Sequence, residues 1–169
     1  MEIRSNTVTP LRWSSSVLLG LLGGLIGSLI MGGLGYLAPA PKFDSPFYVA
    51  PFMAVGLRGA PAYAAGWVLN IVVGLILGAA YAAVASGVRR MSAHRPSRGI
   101  PWGLGVGVVG WLVYGLPAIS SSVGLGHPVL VGLVLVFSLV YGALLGAIYS
   151  TIASRMVSTS RERPQTISS

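Results

Sequence analysis

Charged side chains occur at only a few places along the chain, and the stretches between them are apolar. No Asp, Glu, Lys or Arg falls within 13–41, 59–88 or 99–154. The last stretch is divided by a serine- and glycine-rich connection at 120–128. A membrane-spanning helix needs about 20 apolar residues. These runs therefore predict four spans, at 14–37, 63–86, 102–119 and 129–153, with Pro101 opening the third. A signal peptide is the rival reading of the first run, since Arg4 and Arg12 precede it and Ala38-Pro39-Ala40 resembles a small-residue cleavage site. Signal cores run to about 7–15 residues; this run is longer and rich in glycine, and we read it as a span.

Within the spans the residues repeat. Gly74 to Ser86 and Gly142 to Ser154 both read G-x-x-x-G-A-x-Y-x-x-x-A-S, which sets Tyr149 against Tyr81. Gly24-x-x-Gly27 and Gly32 in the first span match Gly107-x-x-Gly110 and Gly115 in the third. The expected fold is an all-α membrane protein of four helices, built as two parallel-duplicated helical hairpins. Hairpin one covers 14–88, with an outer loop at 38–61 enlarged by a piece rich in proline and aromatic residues; hairpin two covers 100–154. A polar N-terminus (1–13), a basic loop (89–99) and a polar tail (155–169) complete the chain.

The spacing of small residues points to helix packing. Gly66, Asn70, Gly74 and Gly78 recur every fourth position, as do Ser138, Gly142 and Gly146; Gly20 and Gly24, and Gly23 and Gly27, do the same in the first span. Small residues at this spacing let two backbones approach closely. So many such faces exceed what one bundle would be expected to use inwardly, and some are expected to face other subunits. Asn70 and Ser138 hold equivalent mid-span positions, as glue between helices or as the wall of an oligomeric pore. Phe43, Phe47, Tyr48 and Phe52 lie in the enlarged loop. An interfacial aromatic belt is one reading for them, and a partner-docking surface the other. Tyr81 and Tyr149 are read as anchors at the membrane interface.

Composition agrees with a membrane protein and removes several chemistries. Hydrophobic residues make up 54% of the 169 and charged residues 8%, against about 25% charged in soluble domains. There is no cysteine, so thiol catalysis and cysteine-held metals are excluded. The acids are Glu2, Asp44 and Glu162 alone, too few and too scattered for a buried acid–base set. With no ionisable residue inside a span, proton coupling lacks the groups it normally uses. His94 and His127 lie in connections on opposite sides of the membrane and cannot share one ligand. His127 alone could serve as an axial ligand to a tetrapyrrole held at a subunit interface.

The formal charge of +8 does not point to nucleic acid, because the basic residues sit at span ends. Nine of the eleven fall at the N-terminus (Arg4, Arg12), in or beside the central loop (Arg89, Arg90, Arg95, Arg98) and in the tail (Arg155, Arg161, Arg163). Basic residues mark the cytoplasmic side and attract anionic lipid. Both termini are thus expected in the cytoplasm.

The pattern Gly24-x-x-Gly27-x-x-x-Met31, with Tyr141-Gly142-x-x-Leu145-Gly146-x-x-Tyr149, resembles a loose group of uncharacterised four-span prokaryotic membrane proteins. Some of these occur beside respiratory oxidase components. The resemblance implies the inner membrane and a place near an electron-transfer complex. Members often carry a histidine ahead of the Tyr-Gly pair; here that region reads Val136-Phe137-Ser138-Leu139-Val140, without one. Two functions follow as expectations: a non-catalytic accessory subunit in a hetero-oligomer with other membrane subunits and lipids, or a small oligomeric channel or carrier.

The absence of native cysteine makes the topology directly measurable. An impermeant maleimide is expected to label Leu125→Cys in intact cells and Ser92→Cys only after the membrane is opened. The reverse pattern would invert the assignment.

Overall fold

The computed structural model describes residues 13–37, 39–40, 44–87, 96–122 and 124–161. It is all-helical apart from one minimal strand pair, and four helices are long and apolar enough to cross a membrane: Trp13–Leu37, Gly59–Ser86, Arg98–Ser121 and Pro128–Met156. The elements are α1 (Trp13–Leu34), extended by a 3-10 turn, then β1 (Pro39–Ala40) and β2 (Ser45–Pro46), α2 (Ala50–Ala54), α3 (Gly59–Gly87), α4 (Pro96–Gly110), a π-helical turn (Trp111–Gly115), α5 (Leu116–Ser122) and α6 (Pro128–Arg161). The long helices outrun their sequence estimates. α4 begins at Pro96, so Pro101 lies inside the helix. α6 continues through 155–161, where a polar tail was expected.

The π turn has an identifiable cause. Pro117 offers no N–H, and its ring would strike the carbonyl four residues back in a regular α-helix. The chain widens ahead of it, and Leu116 N–H bonds back to the Trp111 carbonyl five positions earlier. Single π turns inside α-helices take this form.

α1 packs along α3, and α4 packs along α6. In both pairs glycine meets glycine across the contact. A Cβ on Gly24 would meet the Gly74 carbonyl, and a Cβ on Gly20 the Gly78 carbonyl. In the second pair Gly103 is held against Gly142, Gly99 against Gly146 and Gly107 against the Ser138 carbonyl. α1 also packs on α6, joining the two pairs, whereas α3 and α4 meet only sparsely. At the α1–α6 seam Gly23 leaves room for Leu145 and Gly27 for the Tyr141 ring, whose nearest carbon would lie 2.7 Å from an added Cβ.

Two expectations are corrected here. The glycine faces are not surplus: Gly20, Gly23, Gly24, Gly27, Gly66, Gly74, Gly78, Gly142 and Gly146 are all covered by other parts of this chain. The glycines with open space around them are others, such as Gly33, Gly105 and Gly132. The register of the second pair also differs from the sequence match. Gly24 faces Gly74, while Gly103, not Gly107, faces Gly142. The first and third spans therefore correspond one helical turn away from the alignment of their glycines.

Outward positions are aliphatic. Leu18, Leu22 and Leu29 on α1, Val68, Val72 and Ile76 on α3, and Val136 and Val140 on α6 are exposed, as befits helices bathed in hydrocarbon. The packing contacts predict an asymmetry between glycines. Gly24→Val and Gly142→Val drive a side chain into a backbone carbonyl that cannot move aside, and should abolish recovery of folded protein in detergent. Gly105→Ala meets nothing within 4 Å and should be tolerated, with a gain of up to about 1 kcal/mol from helix propensity. Equal recovery of all three variants would contradict this packing.

Candidate functional site

Polar side chains within the spans turn inward and mostly end on backbone carbonyls. Asn70 Nδ2 donates to the Ser28 carbonyl at 2.8 Å, tying α3 to α1 one turn beyond the Gly24–Gly74 contact. Tyr141 Oη crosses from α6 over Gly27 and donates to the Gly74 carbonyl at 2.8 Å. That one carbonyl therefore sits at the meeting of three helices. Tyr81 Oη donates to the Gly99 carbonyl at 3.1 Å, joining α3 to α4, and the Tyr81 ring lies edge-on to Tyr149 with centroids 5.3 Å apart. Both tyrosines are buried, at 1% and 4% exposure, so they are core residues and not interface anchors.

The enlarged loop closes one end of the bundle. β1 and β2 bring the chain back on itself, with Asp44 in a left-handed turn at φ 47°. The next residues dive inward: Phe47, Tyr48 and Val49 are buried, and α2 packs on α5. Tyr48 Oη donates to the Gly32 carbonyl at 2.9 Å, and its ring stands edge-on to Phe47 and to Trp67. Burial, with nearby Tyr36 adding to it, holds the Tyr48 phenol above its ordinary range and keeps it a donor. Neither a belt nor a docking surface describes Phe47 and Tyr48; they plug the bundle. Phe52 is half-buried beside them, and Phe43 lies outside the described residues.

Between the hairpins, below this plug, lies a central cavity of about 30 Å³. Asn70, Ser138, Tyr141 and Tyr114 supply its polar wall, and Val73, Leu77 and Gly110 part of its apolar one. Asn70 and Ser138 both line this cavity, within one chain. Both are buried by this chain's own helices, at 4% and 8% exposure. Tyr114, on the π turn, gave no signal in the sequence, because a lone tyrosine in a span reads as any aromatic. Tyr141 and Gly27 were each part of a motif, but nothing in one chain's sequence shows that the phenol of one lies over the other.

His127 precedes α6, is exposed, and its carbonyl accepts from Val131 N–H at 3.1 Å. It stands at the rim of an open groove of about 300 Å³ formed with Leu37, Pro39 and Leu130 among others. Among the described residues no three His, Asp or Glu side chains gather closely enough to hold a metal. Arg98 and Arg155 are exposed near span ends. Arg89, Arg90 and Arg95 fall outside the described residues.

Comparison with family models, with curated proteins and with solved structures finds no match to this chain. The internal geometry is therefore what the functional reading rests on.

The Tyr141–Gly74 bond generates a measurable prediction. Hydrogen bonds between membrane helices contribute about 0.6 kcal/mol on average and up to about 1.7. Tyr141→Phe should lower thermal stability by an amount in that range. Tyr141→Ala, which also empties the space above Gly27, should cost several times more. Equal effects of the two would mean that the hydroxyl, and not the ring, carries the contact.

Proposed function

We propose that this chain is a non-catalytic structural subunit of a larger membrane complex, acting through its lipid-facing surface. The observation that carries the reading is the inward use of its polar groups. Asn70, Tyr81 and Tyr141 end on backbone carbonyls inside the bundle, and the central cavity is about 30 Å³. No passage for a solute follows from that interior. What the chain presents to its surroundings is a set of aliphatic helix faces, the surface a neighbouring transmembrane helix would meet.

The setting we propose is an electron-transfer complex of a prokaryotic inner membrane, on the resemblance of the Tyr141–Tyr149 segment and the Gly24–Met31 segment to proteins found beside oxidase components. Both termini lie in the cytoplasm in this reading, with Arg98 and Arg155 toward anionic headgroups. The two hairpins descend from one duplicated hairpin, a proposal supported by glycine contacts of the same kind in both. Among the described residues His127, exposed at the rim of its groove, is the one side chain that would offer an axial imidazole to a tetrapyrrole held by a partner.

Gentle detergent extraction from native membranes, native electrophoresis and mass spectrometry of the band test this. The expected result is a fixed ratio of this chain to other membrane subunits, with haem absorbance in the same band. A colourless band holding this chain alone would overturn the proposal.

A further inference from the structure

The central cavity has a feature that its lining does not resolve. The Tyr114 hydroxyl is buried and, among the described residues, has no hydrogen-bond partner. Buried polar atoms are rarely left so, least of all in hydrocarbon, where bulk water cannot reach them. The Tyr114 side chain lines a cavity whose wall also carries Ser28, Asn70 and Ser138. Holding a water takes roughly 10–15 Å³ or more and two to four polar partners. At about 30 Å³ the cavity meets the first requirement once or twice over, and Ser28, Asn70 and Ser138 place polar groups in its otherwise largely apolar wall. An apolar cavity of this size would stay dry, but this wall carries hydroxyls and a carboxamide.

We propose that the cavity is a built hydration site in the middle of the membrane. It holds one or two water molecules, which accept the Tyr114 O–H and take their remaining bonds from the polar wall around Asn70 and Ser138. Tyr141 reaches the carbonyl of Gly74 directly. Tyr114 reaches the opposite hairpin through water, where α3 and α4 otherwise meet sparsely. The water is thus a structural ligand that completes the seam between the hairpins. This inference stands apart from the subunit reading and survives its failure.

The test is a structure of the full chain in lipid nanodiscs at a resolution that shows ordered water, paired with thermal unfolding of two variants. Compact density within hydrogen-bond distance of Tyr114 Oη is expected, and Tyr114→Phe should lose it. Tyr114→Phe should also lower the unfolding midpoint by a few degrees, although it removes one atom. Gly110→Ala places a methyl 2.9 Å from Leu77 Cδ1, a contact the flexible leucine can relieve. It should displace the water and lower the midpoint too. No density at Tyr114, an elongated hydrocarbon density between α3 and α4, or a higher midpoint in Tyr114→Phe would each overturn the proposal. The last is what removal of an unbonded hydroxyl from a dry cavity would give. Should Tyr114→Phe fail to fold, the density and the Gly110→Ala midpoint still decide.

Discussion

Backbone meeting backbone without an intervening side chain is the constraint on which this bundle depends. In hydrocarbon, burying apolar surface between helices gives little advantage over leaving it in lipid, so close packing and hydrogen bonds must hold the helices together. Gly20 and Gly24 against Gly78 and Gly74, and Gly99 and Gly103 against Gly146 and Gly142, provide that closeness in two antiparallel pairs. Everything else follows from how near these backbones come. Carbonyls such as those of Gly74 and Gly99 become reachable acceptors because no Cβ shields them, and a tyrosine from a third helix can bond to each. The aromatic plug at Tyr48 uses the same device at Gly32. The protein thus has one recurrent joint: a glycine carbonyl, exposed by close approach, capped by a phenol from another element.

Much of this architecture was legible in the sequence, for physical reasons that also mark where legibility ended. Span number follows from run length, because a bilayer sets the length. The antiparallel glycine pairs follow from four-residue spacing. The exact register of α4 on α6 did not, since glycines at Gly99, Gly103 and Gly107 repeat each turn and one turn of slippage matches as well as another. The fate of Phe47 and Tyr48 was also hidden. Aromatic residues near a span end suit an interface belt equally well, and the room that Gly35 leaves for the Tyr48 ring and Gly66 for Val49 lies on other helices. The candidate site was half legible. Asn70 and Ser138 were singled out as a polar mid-span pair, but Tyr114 and Tyr141 depend on facing glycines and on the π turn, which no local pattern announces.

The inward economy of glycine bears on how this chain meets others. A protein that spends its small residues on itself keeps larger aliphatic side chains for its perimeter. Leucine and valine make up much of the surface the helices turn outward, with Gly33, Gly105 and Gly132 among the glycines left open there.

The π turn at Trp111–Gly115 governs the azimuth of the third span. A regular α-helix advances about 100° per residue, so positions eight apart swing about 80° around the axis. A glycine face that starts at Gly107 against Ser138 would have rotated away from α6 by the time it reached Gly115. The wider π turn rotates the chain less per residue, and Gly115 comes back to within 3.1 Å, as an added Cβ would measure it, of Val134 on the same helix. Pro117, commonly regarded as a helix breaker, thus acts here as a phase corrector that keeps a long straight seam in contact to its end.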